Sequence, residues 1–150
     1  MNKAFLDTNV LVSSIDTTRK NHQKALSLIQ KIKDKEFSGF ISTQIIGEFY
    51  VSLTRGSGGM ESPLSSKEAR DEILLMLSSH LFAVLPITEF ISRQALKLSF
   101  EKEIKGVRFW DVVIVATMLE NKISTLYTEN ARDFRECADL IEIKALQDIG

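Results

Sequence analysis

Short apolar runs that stop at polar turns alternate along this chain with stretches whose apolar residues recur at helical spacing. That alternation constrains the fold most. Parallel neighbouring strands need a crossover of a dozen or more residues between them, and a helix is what usually supplies it. Lys3–Leu6 closes at Asp7-Thr8-Asn9 and reads as a first strand, followed by a helix-like stretch from Val10 that dissolves at Asp16. Ala25, Leu26, Leu28, Ile29 and Ile32 form a helical stripe broken by Ser38-Gly39, and Phe40-Ile41 is a second strand. Ser42 is placed to cap a helix carrying Ile45, Ile46, Phe49 and Leu53. Residues 55–63 read as a flexible loop, and Ser65 with Glu68 has capping-box spacing before a helix holding Ile73, Leu74 and Leu77. Phe82–Leu85 is a strand stopped by Pro86, and Thr88 caps a helix through Ala95, Leu96 and Leu98. Residues 110–119 are helical by length, 124–127 strand-like, and 140–143 a last short strand. The expected class is α/β, a parallel sheet with helices on both faces, and in such sheets ligands bind beyond the carboxyl ends of the strands.

With 150 residues the chain has room for one ordinary domain, 1–150, able to bury roughly two-thirds of its unfolded surface. Nineteen basic against twenty acidic residues leave a net charge of −1, so no global attraction to nucleic acid or acidic membrane is expected. Any phosphate-binding surface must then be a local cluster. The apolar run at 112–116 is far below the ~20 residues a membrane helix needs, and Met1-Asn2-Lys3 leads into a strand rather than an apolar leader. A single cysteine, Cys137, allows no internal disulfide. A soluble, cytoplasmic protein with no membrane contact is the expectation.

Three acids stand where solvated charge is not expected. Asp7 follows Ala4-Phe5-Leu6 directly at a strand end, although Asp-Thr-Asn is also favourable turn and cap chemistry. Glu48 falls on the border of the stripe made by Ile45, Phe49 and Leu53, where a solvated glutamate is the ordinary reading. Asp111 precedes Val112-Val113-Ile114-Val115-Ala116, a segment apolar nearly all round and therefore buried. A buried carboxylate costs several kcal/mol, roughly, unless it is paired, hydrogen-bonded or bound to a metal. A helix N-terminus supplies part of that compensation, and a cation the rest. Oxygen-only ligands suit Mg²⁺ or Mn²⁺ better than zinc, and such a site commonly meets its substrate through phosphate oxygens. The chemistry points to phosphoryl or phosphodiester transfer with a metal-activated water. His22 and His80 are isolated, Gly56-Ser57-Gly58-Gly59 lacks the lysine of a P-loop, and no nucleophile elbow occurs.

Four segments carry a family resemblance. Phe5-Leu6-Asp7-Thr8-Asn9-Val10-Leu11-Val12, Ser42-Thr43-Gln44-Ile45-Ile46-Gly47-Glu48-Phe49-Tyr50, Phe109-Trp110-Asp111-Val112-Val113-Ile114-Val115-Ala116 and Leu126-Tyr127-Thr128-Glu129 resemble, in order and spacing, the PIN-domain nucleases. The size is most similar to the toxin ribonucleases of prokaryotic toxin–antitoxin pairs, the VapC group. The resemblance implies a three-layer α/β/α domain with a short, mainly parallel central sheet, and hydrolysis of single-stranded RNA segments, tRNA among them. It implies Asp7, Glu48 and Asp111 as catalytic and metal-holding acids for Mg²⁺ or Mn²⁺, with Thr8, Asn9 and Thr128 as supporting polar residues. Asp7 and Asp111 would hold the metal directly, and Glu48 directly or through a water it orients. The fourth acidic position departs from the pattern, since Asn130 stands where relatives often have aspartate. Asp133 completes the shell, Asn130 does so as a neutral ligand, or three acids suffice; the lost charge puts a second metal in question rather than the first. Arg55, Arg108, Arg132 and Arg135 are RNA-backbone candidates by proximity, each also an ordinary surface arginine. A homodimer and an inhibitory antitoxin partner are implied as well.

Three rival readings remain open, one of which keeps the nuclease but gives it a role in RNA maturation or decay instead of a toxin's. A PIN-like module without catalysis, serving as an RNA-binding or scaffolding piece, draws its support from Asn130 alone. A haloacid-dehalogenase-type phosphatase would use Asp7 as nucleophile, but the second residue after it is Asn9 rather than an acid and no fitting lysine motif follows.

Overall fold

A computed structural model describes residues 2–56 and 58–149; Met1, Gly150 and Ser57, within the loop read as flexible, lie outside them. The strands are β1 (Lys3–Leu6), β2 (Ser38–Ser42), β3 (Phe82–Leu85), β4 (Thr125–Thr128) and β5 (Glu142–Ala145). The helices are α1 (Thr8–Ile15), α2 (His22–Lys33), α3 (Thr43–Thr54), α4 (Ser66–Ser78), α5 (Glu89–Glu101) and α6 (Phe109–Glu120). Three 3₁₀ segments add Gly106–Arg108, Ala131–Cys137 and Leu146–Asp148.

The sheet has the order β3-β2-β1-β4-β5 with every pairing parallel. The chain therefore builds outward from β1 to β3, then returns to the other side of β1 to lay down β4 and β5. That reversal leaves a crevice beyond the carboxyl ends of β1 and β4, where open α/β sheets bind their ligands. Register Leu6↔Tyr127 puts the residues that follow, Asp7 and Thr128, side by side.

The all-round apolar character of α6 has a simple cause. Ile114, Val115 and Met118 join the main core with the sheet, whereas Val112, Val113 and Ala116 pack with Ile91 and Ala95 of α5 in a second cluster. A helix held between two layers has no polar face to keep, so its burial leaves Asp111 at its exposed beginning. The capping box of Ser65 with Glu68 is formed, at 3.1 and 3.0 Å, and Thr88 caps α5 through the Ile91 amide at 3.2 Å.

Several local expectations differ. Ser42 occupies the N-cap of α3, yet its hydroxyl is buried without a hydrogen-bond partner and caps nothing. The last strand begins at Glu142 rather than 140, because the Leu140 and Ile141 amides both turn back to the Cys137 carbonyl, at 2.9 and 3.2 Å. Leu74 and Leu96 stand 53% and 60% exposed, since α4 and α5 bury a narrower stripe than their leucines suggest. Gly39, read as a helix breaker, lies inside β2: a Cβ there would come within 2.8 Å of Ile32 Cδ1 and 2.9 Å of Phe82 Cδ1. The far half of the 55–63 loop is tied down, with Met60 N donating to the Ser52 carbonyl at 3.1 Å and Arg19 to the Gly59 carbonyl at 3.0 Å. Among the described residues no helix is long and apolar enough to cross a membrane.

Candidate active site

Asp7 leaves β1 and begins α1 in the same step. Its amide donates to the Tyr127 carbonyl at 3.0 Å, prolonging the sheet, while its carboxylate caps α1 by accepting from Thr8 N at 2.8 Å. The other carboxylate oxygen accepts from Thr128 Oγ1 at 2.8 Å. The helix-cap reading is thus correct, but a cap is normally solvated and Asp7 is 8% exposed. Burial pushes its carboxyl up to about 6, against the opposing hydrogen bonds from Thr128 and Thr8 and with added repulsion from Glu48 and Asp133.

Asp111 sits in the first turn of α6, half-buried. Burial first, then the charges of Asp7, Asp133 and Glu48, drive its carboxyl up to about 7, with Arg108 pulling the other way. Glu48, from the middle of α3, accepts from Thr8 Oγ1 at 3.1 Å and from Gln44 Nε2 at 2.6 Å. Thr8 therefore braces two acids at once, Asp7 through its amide and Glu48 through its hydroxyl. On the far side Thr128 ties Asp7 to the next segment, taking the Asn130 backbone amide at 3.0 Å while donating to Asp7.

The fourth acid arrives from the segment after β4. Asp133 is exposed on the 3₁₀ segment Ala131–Cys137, its amide bonded to the Asn130 carbonyl at 3.0 Å. Arg108 fixes this segment against the start of α6. Its guanidinium grips Glu136 with two bonds of 2.8 and 2.6 Å and donates to the Asp133 carbonyl at 2.8 Å. That grip holds the Glu136 carboxyl down at about 2. Three of the five guanidinium donors of Arg108 are thereby used within the protein.

Asp7, Thr8, Asn9, Glu48, Asp111, Asn130 and Asp133 line one cavity of about 490 Å³, with Arg55 on its wall. Arg132 is exposed on the outer segment and lines no part of it. A second cavity, of about 730 Å³, continues from the same acids past Gln44 and Arg108 to Trp110. Sequence reasoning did not single out Gln44, which ties Glu48 to the Trp110 carbonyl at 3.1 Å; its four-residue offset from Glu48 on one helix was the available signal.

Four carboxylates line one cavity, and two of them, Asp7 and Asp111, are held above the usual carboxylate range, an arrangement whose repulsion a cation would relieve. The oxygen donor set fits Mg²⁺ or Mn²⁺. As the side chains stand, no three acids, histidines or cysteines among the described residues form a ready coordination group. Glu48 accepts one bond on each carboxylate oxygen, from Thr8 and from Gln44, which leaves each oxygen a lone pair for an ion.

Comparison with known proteins adds to this geometry. The family model of the PIN domain matches residues 4–140. Among solved structures, similarity is found to VapC20 from Mycobacterium tuberculosis, described as a sarcin-ricin loop cleaving toxin, at 18% identity and TM-score 0.69, over 94% of this chain and 98% of that one. A toxin–antitoxin complex from Klebsiella pneumoniae matches at 21% identity and TM-score 0.61, over 95% and 97%. VapBC2 from Rickettsia felis, bound to a DNA fragment from its promoter, matches at 16% identity and TM-score 0.65, over 95% and 98%. Comparison with curated protein sequences finds no match.

Proposed function

The chain belongs to the PIN-domain family, and from that premise we propose that it is a Mg²⁺- or Mn²⁺-dependent endoribonuclease, the toxin of a toxin–antitoxin pair. One observation carries the reading. Asp7 and Asp111, from strand and helix ends more than a hundred residues apart in sequence, converge with Glu48 and Asp133 on one cavity, where burial and neighbouring acids raise the carboxyls of Asp7 and Asp111. An arrangement that costs stability in the free protein is accounted for by a bound cation.

Asp7 and Asp111 would hold the ion directly, with Glu48 and Asp133 completing the oxygen set. When bound, the ion acidifies water and offsets charge on the phosphate oxygens. The protein's own part is positional. Thr128 and Thr8 aim the Asp7 carboxylate through fixed hydrogen bonds, so its lone pairs face the cavity in one orientation. Gln44 holds Glu48 toward the same space, and the Arg108–Glu136 pair keeps Asp133 in reach. Arg55 lines the cavity wall, and that position supports a role for it against a phosphate oxygen of the RNA backbone. Asn130 contributes no charge, which fits a single ion better than two. Structural neighbours solved as toxin–antitoxin complexes support an antitoxin partner for this chain, and exposed apolar side chains such as Phe100 on α5 support a homodimer.

The test is cleavage of end-labelled tRNA and of an unstructured RNA in Mn²⁺, Mg²⁺ or EDTA, beside Asp7→Asn and Asp111→Asn. Metal-dependent cleavage lost in both folded variants is the expected result. Full activity in either variant refutes the assignment, and failure of Mn²⁺ to bind by calorimetry replaces it with a PIN-like module without catalysis.

A further inference from the structure

The groove beyond the acids has a property the cleavage chemistry does not use. Trp110 is the second residue of α6, one before Asp111, and is 54% exposed. It lines the larger cavity with Ile87 and Val107, the latter 85% exposed, while Glu48, Asp111 and Asp133 line both cavities. The apolar shelf and the acid cluster are therefore one continuous groove. We propose that Trp110 is a stacking platform for a nucleobase of the RNA strand whose phosphodiester lies against the acids. This inference rests on the nuclease reading above.

Three features support it. The platform is held in place: the Phe109 ring meets the indole edge-on at 5.7 Å, and the Trp110 carbonyl takes Gln44 Nε2 at 3.1 Å. The same amide nitrogen lies 2.6 Å from Glu48 Oε1, so one side chain sets the spacing between the indole's backbone and a site acid. Positive charge free to bind RNA, moreover, is sparse here. The chain carries −1 overall, the cavity walls bear four carboxylates, and Arg108 is engaged by Glu136. Beyond Arg55 and a bound ion, affinity then falls to a contact that does not depend on phosphate charge, and a base face on an aromatic ring is such a contact. Finally, an indole presents its face only to an unpaired base, since duplex bases bury theirs in the stack; the device selects single-stranded segments without reading their sequence.

Trp110 is the single tryptophan of the chain, so its emission reports on the platform directly. The full-length Asp7→Asn protein is titrated in Mg²⁺ with a labelled, unstructured oligoribonucleotide, reading tryptophan emission and RNA anisotropy together. An abasic ribose-phosphate oligomer of equal length serves as the comparison. Emission is expected to quench saturably in step with anisotropy, and the abasic strand to bind more weakly without quenching. In the same background Trp110→Leu should weaken binding roughly 5- to 100-fold, equally at low and high salt, while Trp110→Phe costs only a small part of that. Undiminished binding of RNA by Trp110→Leu with no change in wild-type emission overturns the platform and leaves the nuclease reading standing. An emission shift that follows protein concentration, with no response to RNA, overturns it in favour of a second copy covering the indole. No RNA binding by the variant together with no cleavage by the wild type overturns the nuclease reading itself, and the platform with it.

Discussion

Replacing Asp7 by asparagine should abolish cleavage and, in the absence of metal, make the protein more stable. The substitution keeps the side-chain shape and the bond from Thr8 N, and the Thr128 hydroxyl can turn to accept from the new amide. What disappears is a buried charge. The Asp7 carboxyl rises from 3.8 to about 6 in the folded protein. A rise of about two pH units at 1.36 kcal/mol each corresponds to about 3 kcal/mol. Because the folded value lies above the unfolded one, the native state binds the proton more tightly. The associated stability is present in full below the unfolded value of 3.8 and is lost as pH rises through about 6. Asparagine has no such loss, and removing the charge also relieves Asp111, whose carboxyl Asp7 pushes up. For a chain of this size about 1 kcal/mol moves the midpoint by about 2–4 °C. In EDTA, thermal unfolding of Asp7→Asn at about pH 8 should therefore exceed wild type by about 6–12 °C, and the gap should shrink to a few degrees near pH ~4. Adding Mn²⁺ should raise the wild type and leave the variant nearly unmoved, because only the former binds the ion. A variant less stable than wild type at the higher pH, or a gap that does not change with pH, would refute the argument that Asp7 is held in the fold at a cost.

Two further outcomes follow from particular contacts. Gly39→Ala drives a methyl group to within 2.9 Å of Ile32 and Phe82 across β2, and should lower stability by about 1–3 kcal/mol in denaturant unfolding without altering metal affinity; an unchanged midpoint would show that those side chains yield freely. Glu136→Gln separates two roles for Arg108. If the guanidinium acts by holding the Asp133 segment, steady-state cleavage should fall several-fold and Arg108→Gln should fall with it, whereas a gain in RNA affinity on freeing Arg108 would make it a phosphate contact.

Much of this molecule is written locally. The Lys3–Leu6 run ended by Asp7, the Ser65–Glu68 capping box, the Thr88 cap and the apolar stretch of α6 all depend on neighbours within a turn or two, so they could be read from residue order. Asp111 was conspicuous for the same reason: a carboxylate at the head of a buried helix is anomalous before any coordinates exist. Locally favourable chemistry also misled, as at Ser42, whose cap position in the chain is correct but whose hydroxyl is buried and accepts no helix amide. Leu74 and Leu96 likewise have the spacing of core residues and stand in the open, because the width of a buried stripe is set by the neighbouring layer.

Residue types and spacing by themselves determined the strand–helix alternation, the helix boundaries marked by caps, and which acids stand in apolar company. The tertiary structure decided which of those acids meet. The order β3-β2-β1-β4-β5 places β4 against β1, and only that placement brings Thr128 to Asp7 across 121 residues and sets Asn130 and Asp133 beside them. The joins made by Gln44 to Trp110 and by Arg108 to Glu136 arise in the same way. Strand order is chosen by the packing of whole layers, and no local window of sequence contains that information.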